Sequence, residues 1–286
     1  MNLQNIISEL EKADPEVYAR LDTRRSAMKN FASFSGKVGL ASIPFALGSM
    51  FKKAYAGNTD AVGDVLNFAL TLEYLESSFY NMGASANVVP ADNLGSKGAF
   101  AEITKDENEH VEFLKTAIKS LGQTPVSSPT FDFTAKGTFP AVFTNFDVFL
   151  ALSQTFEDTG VRAYKGQAPN LMSAPAILQA ALQIHSVEAR HASRVRKIRK
   201  ERNGALVSGN IKPWITGNMS GIDTGNANIN AAIQKSYNGE DLTVQAGANI
   251  VGIGGNGFID ASAASESFDE PLDKPTILDI VKIFIV

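Results

Sequence analysis

From residue 60 onward, apolar residues recur at the three- and four-residue spacing of helices that bury one face. Val62, Val65, Leu66, Ala69, Leu70 and Leu72 predict a helix over 60–82. Phe100, Ile103, Val111, Leu114 and Ile118 predict a second over 96–121, with Gly122 as its C-cap and Pro125 beyond it. A third is predicted over 146–165 and a fourth over 174–202. The fourth has Pro175 in its first turn and a basic end, Arg194 to Arg202, that complements the helix dipole. Residues 123–144 hold three prolines and little helical period, so they form a long connection. The pattern is two helical hairpins joined by one crossover.

Beyond 204 the texture changes. Ten glycines and eight asparagines fall in 209–262, which predicts a loop-rich stretch with at most short strands. Gly252-Ile253-Gly254-Gly255-Asn256-Gly257 superficially suggests a phosphate loop. No lysine or helix follows it, so turn glycines are the better reading. Residues 276–286 are again apolar at helical spacing and are expected to pack back on the bundle. Trp214, in Lys212-Pro213-Trp214, is expected to anchor this C-terminal part.

The first 56 residues read as an export leader. Thr23-Arg24-Arg25-Ser26-Ala27-Met28-Lys29 precedes an uncharged run, Val38 to Phe51, and Ala54-Tyr55-Ala56 follows. Thr23, Arg24, Arg25 and Lys29 match a bacterial twin-arginine signal, while Ala27 stands where Phe is usual. The apolar run is short for a membrane span, so the mature chain is expected to be exported, periplasmic or extracellular, with no stable membrane span. The competing reading is a retained amphipathic helix. The resulting division is 1–56 leader, 57–204 helix bundle and 205–286 loop-rich extension.

Composition narrows the chemistry. The chain is 44% hydrophobic and 20% charged, enough for a real core, and its net charge of −4 with no polybasic stretch gives no sign of a nucleic-acid partner. There is no cysteine, which excludes disulfides, thiolate metal sites, iron–sulfur clusters and cysteine nucleophiles. Any metal must be held by carboxylates, imidazoles and water, a set that suits iron or manganese.

Two of the three histidines stand three residues after a glutamate: Glu107-Asn-Glu-His110 and Glu188-Ala-Arg-His191. On a helix, i and i+3 share a face, so each pair can aim a carboxylate and an imidazole at one point. A dinuclear site in a four-helix bundle needs two such pairs and one further glutamate from each remaining helix. The third helix offers Glu157. The first offers Glu73 and Glu76, and a second regularity chooses Glu73. Tyr80 follows Glu73 at plus seven, as Tyr164 follows Glu157, whereas Gly83 follows Glu76. Two turns place each tyrosine on its own glutamate's face. Glu76 is then left beside the ligands or at the surface.

The chain thus repeats Glu-x6-Tyr followed by Glu-x-x-His, once per hairpin. Glu107 and Glu188 are the expected bridging pair, because each has an adjacent histidine to terminate one metal. Four glutamates balance two divalent ions, and two neutral histidines limit the negative charge. Tyr80 and Tyr164 are read either as groups that bond the ligands or carry electrons, or as core aromatics. His185 is read as a packing or surface histidine.

At this point the chain resembles a known family. Leu72-Glu73-Tyr74-Leu75-Glu76-Ser77-Ser78-Phe79-Tyr80, both Glu-x-x-His motifs and the tail Phe268-Asp269-Glu270-Pro271-Leu272 are similar to bacterial ferritin-like domain proteins, relatives of plant desiccation-related proteins. The resemblance spans roughly residues 58 to 286. It implies a mainly α, ferritin-like four-helix bundle with a long crossover between helices two and three. It also implies a dinuclear centre, two Fe ions or alternatively two Mn, that reacts with O2 or peroxide. Ferroxidase and peroxidase-like activities both suit it. The rivals are a manganese catalase-like enzyme and a non-catalytic stress protein with a structural metal site. A homo-oligomer stays open, although a storage cage is disfavoured by the C-terminal extension.

Overall fold

The computed structural model describes residues 59–286 except Asn256, so the leader segment lies outside the described residues. Four long helices form the body: α1 (Thr59–Ser85), α2 (Ser96–Ser120), α3 (Phe146–Gln167) and α4 (Pro175–Arg202). α1 packs chiefly on α2, and α3 chiefly on α4, as two hairpins with a 25-residue crossover between them. This is the mainly α bundle with one long crossover between its second and third helices that the hydrophobic spacing predicts. Helix starts and stops follow local chemistry. Asn145 caps α3 by accepting from the N–H groups of Asp147 and Val148, and Asn203 ends α4 in the left-handed region at φ 48°.

Aromatic packing ties the crossover to the bundle. The Phe79 ring stacks on Phe149 at 4.7 Å and meets Phe156 at 5.0 Å and Phe133, from the crossover, at 5.2 Å. Each such fully buried ring contributes about 1.5–3 kcal/mol. The chain end returns to this cluster. Helix α7 (Lys274–Val281) and the 3-10 turn Lys282–Phe284 bury Ile277, Ile280, Val281 and Phe284, as expected for 276–286. Phe284 packs on Phe156 at 5.0 Å, and Val286 N donates to Thr130 O at 3.0 Å.

Between α4 and α7 lie α5 (Ala227–Gln234), a two-residue-per-strand hairpin of β1 (Val244–Gln245) and β2 (Ala248–Asn249), and the short α6 (Ala261–Ser265). Helix α5 is absent from the sequence expectation. Its start is set by Asn226, whose side chain accepts from Asn228 N and Ile229 N. Glycines 252, 254, 255 and 257 all have positive φ and make turns. Trp214 is half exposed, and its indole donates to Glu266 at 3.0 Å.

The extension is fastened to the bundle by buried charge. Nearly every α3 residue is buried, including polar ones, because the extension covers the face that the bundle leaves open. Arg162 is 1% exposed. It donates to the carbonyls of Ser236 at 2.7 Å, Asn238 at 2.9 Å and Glu270 at 2.8 Å, and its Nε lies 2.6 Å from Glu240. Asp158 takes a bidentate pair from Arg196, at 3.0 and 2.5 Å, and a bond from the Tyr237 hydroxyl at 2.8 Å. Gly166 allows Leu272 to approach, since a Cβ there would lie 1.9 Å from the Leu272 carbonyl oxygen. Removing one member of a buried pair leaves the other unpaired and costs about 3–5 kcal/mol. Arg162→Ala is therefore expected to lower unfolding free energy by about that much in a denaturant titration. An unchanged midpoint would show that the network does not hold the extension.

Candidate metal centre

The six residues singled out in the sequence come together near the middle of the four helices. α1 supplies Glu73, α2 supplies Glu107 and His110, α3 supplies Glu157, and α4 supplies Glu188 and His191. The four glutamates are 0% exposed, and the histidines are at most 9% exposed. They form two overlapping groups: Glu73, Glu107, His110 and Glu188, and Glu107, Glu157, Glu188 and His191. Within each group the ligand-type atoms all lie within 4.8 Å of one another. Glu107 and Glu188 belong to both groups. The Glu107 carboxylate shows how: its Oε2 lies 3.2 Å from His110 Nδ1 and its Oε1 2.8 Å from His191 Nδ1.

Two observations test whether a metal pair suits these residues. The first is spacing. His110 Nδ1 lies 3.3 Å from Glu73 and 3.4 Å from Glu188, and His191 Nδ1 lies 3.3 Å from Glu157. Adjacent ligands of an octahedral ion bound at about 2.1 Å stand about 3.0 Å apart. The second is hydrogen bonding. Glu73 Oε2, Glu107 Oε1, Glu157 Oε2, both oxygens of Glu188 and His191 Nδ1 are buried without a hydrogen-bond partner. His191 Nδ1 and Glu107 Oε1 are close enough to bond but not aligned to do so. Buried polar atoms are ordinarily paired, so six orphans facing one another mark a place for cations. The donor set of hard oxygens and imidazole fits iron or manganese.

The outer atoms of the same residues are held by the protein. The Tyr80 hydroxyl donates to Glu157 Oε1, and the Tyr164 hydroxyl donates to Glu73 Oε1, both by short bonds. Each tyrosine thus serves the other hairpin's glutamate. Each therefore stands one layer along from the glutamate of its own helix, on the same face. α1 and α3 run antiparallel, so seven residues along one helix reaches the level of the facing glutamate. His191 Nε2 lies 3.1 Å from Asp106, which orients the ring and leaves Nδ1 toward the cluster. Asp106 escaped the sequence reading because it adjoins Glu107 in an acidic run and carries no spacing of its own.

Glu76 is not a surface residue. It is 3% exposed, and burial, followed by the charges of Glu188, Glu107, Glu157 and Glu73, pushes its carboxyl well above the usual range. Burial and then Glu73 raise Glu107 to about 7, and burial and then Glu107 push Glu188 well up. Burial alone would lower His191, but Glu157 and Glu107 raise it to about 12. The cluster is short of positive charge, and without a cation only protons can supply it. His185 stays apart: its Nδ1 donates to the Val161 carbonyl at 3.0 Å, and burial lowers its pKa.

Space for the carboxylates comes from Gly160. A Cβ there would lie 2.9 Å from Glu188 Oε2 and 3.2 Å from Glu76 Oε1. Gly160→Ala is expected to displace Glu188 and weaken metal binding about 10–100-fold, read by competition with a chelator. Wild-type affinity in that variant would show that the packing around Glu188 is not restrictive.

Among the described residues no helix is long and apolar enough to cross a membrane. Comparison with curated proteins finds no match to the chain. Residues 61–201 match the family model of the ferritin-like domain, which spans all four helices and every residue of the cluster.

Proposed function

We propose, from the premise that residues 61–201 are a ferritin-like domain, that the chain holds two metal ions in the bundle and uses them to react with dioxygen or peroxide. The observation that carries this reading is the convergence of two Glu-x-x-His pairs and two glutamates on shared, hydrogen-bond-free space. Glu73, Glu107, His110, Glu157, Glu188 and His191 are the proposed ligands. Iron is the proposed metal and manganese the alternative. When bound, such a pair supplies electrons to an oxidant and lowers the pKa of coordinated water.

The protein's own residues do the rest. Glu107 and Glu188, common to both groups, keep the two positions adjacent. The Tyr80 and Tyr164 hydroxyls hold Glu157 and Glu73 by their outer oxygens. Asp106 fixes the His191 tautomer. Glu76, whose carboxyl is pushed well above the usual range by burial and then by Glu188 and the other carboxylates, lies against the ligands without being one of them. Four ionised glutamates then balance two divalent ions. Leu72 and Phe156, which adjoin Glu73 and Glu157 in sequence, are themselves buried.

The test is anaerobic Fe(II) loading followed separately by dioxygen and peroxide. The reading expects oxidant consumption in proportion to bound iron. Two bound ions with neither oxidant consumed would favour a structural metal site in a stress protein. Manganese in protein purified from its host, together with peroxide disproportionation, would favour the catalase-like alternative.

We also infer export, supported by the basic, apolar and small-residue segments between Thr23 and Ala56. The mature N-terminus is expected at Gly57. Protein recovered from the cell envelope or medium with residues 1–56 intact would contradict cleavage.

A further inference from the structure

The repeat makes the two tyrosines equivalent, but their surroundings are not. Tyr164 borders a void of only about 20 Å3 with almost wholly apolar walls. Tyr80 borders a pocket of about 130 Å3 between the C-terminal half of α1 and the first turns of α2. The pocket opens to solvent, with Ala84, Asn87, Lys97 and Ala101 exposed around its mouth, and its volume is of the order that takes one aromatic ring. Its buried walls are the rings of Tyr80, Phe100 and Phe149, which touch one another at 5.2 to 6.1 Å. A further ring adds edge and face contacts to such a cluster. Its other lining includes Lys97, which is exposed and has no ion-pair partner among the described residues. Asn87 adds an amide, while the Thr104 hydroxyl already donates to the Phe100 carbonyl at 2.6 Å.

We propose that this pocket binds a small monocyclic aromatic carboxylate, with its ring against Phe100, Phe149 and Tyr80 and its carboxylate at Lys97. The wall rings select a flat apolar body, the volume limits it to one ring, and the unpaired ammonium selects an anion. The inner wall is Tyr80, whose hydroxyl is bonded to Glu157, so an occupant stands one side chain from the proposed metal pair. The binding itself is independent of the metal reading; only its relevance to the chemistry rests on that reading.

The probe is 4-fluorobenzoate, titrated by fluorine NMR into the full chain with metal bound and after metal removal. A ligand of this size making these contacts is expected to bind with a Kd on the order of 1 mM in both states. Ala101→Phe, which fills the pocket from α2, should abolish binding. Ala84→Leu fills it from α1 and serves if the first variant does not fold. Lys97→Gln should weaken the probe about three- to tenfold, yet leave uncharged fluorobenzene unchanged. No saturation by about 20 mM, or equal binding in Ala101→Phe or Ala84→Leu, would overturn the proposal. So would loss of Lys97 without effect. Metal content measured on the same samples separates the two ideas. Two ions without probe binding defeats the pocket alone, and probe binding without metal defeats the dinuclear reading alone.

Discussion

Removing the metal with a chelator is expected to lower the melting temperature by roughly 8–16 °C. An ion present at a thousand times its Kd stabilises the native state by about 4.1 kcal/mol, because the unfolded chain does not assemble the ligands. For a domain of this size each kcal/mol shifts the midpoint by about 2–4 °C. The direction follows from the cluster. Glu73, Glu76, Glu107, Glu157 and Glu188 are all at most 3% exposed, and the only basic groups within the two groups are His110 and His191. Without cations, folding must gather protons or tolerate carboxylate repulsion. Calorimetry before chelation, after it, and after adding Fe(II) or Mn(II) back reads the effect. A midpoint indifferent to all three treatments would mean that the cluster is satisfied by protons alone.

Replacing the shared glutamates is expected to have the largest effect on metal content. Glu107→Ala and Glu188→Ala each remove a member of both groups, so bound metal should fall from two ions per chain toward none. Glu73→Ala and Glu157→Ala each touch one group, so each should weaken one position by more than the roughly 10–100-fold that losing a residue behind a ligand costs, and leave the other occupied. Glu76→Gln should retain two ions, because Glu76 belongs to neither group and the amide keeps its volume. Elemental analysis of the five variants gives the pattern. Equal losses in Glu73→Ala and Glu107→Ala would contradict the shared role of Glu107.

The positions that the sequence made legible are those under a repeating constraint. Helix spacing placed α1 to α4 within a few residues of their ends, because each must bury one apolar stripe. Glu-x-x-His and the plus-seven tyrosines exposed the cluster, because helix geometry turns fixed spacings into shared faces. What stayed hidden depends on residues distant in the chain. Tyr80 reaches Glu157 and Tyr164 reaches Glu73 only because α1 and α3 are antiparallel neighbours. Asp158, Arg162, Arg196 and Arg199 look like a solvated face, yet all are buried beneath the extension. The partners of Arg162, namely Ser236, Glu240 and Glu270, sit 74 to 108 positions away, in a stretch without periodicity. Helix α5 depends on an asparagine cap within an Asn-rich loop, where one asparagine is indistinguishable from the next.

The most direct test of the account is metal-resolved crystallography of the purified chain, using anomalous scattering at the iron and manganese edges. The account predicts two peaks within the bundle, with the Glu107 and Glu188 carboxylates reaching both, and elemental analysis giving two ions per chain. A cluster that stays free of metal after anaerobic loading with Fe(II) and with Mn(II), its glutamates and histidines bonded only to one another or to water, would contradict it.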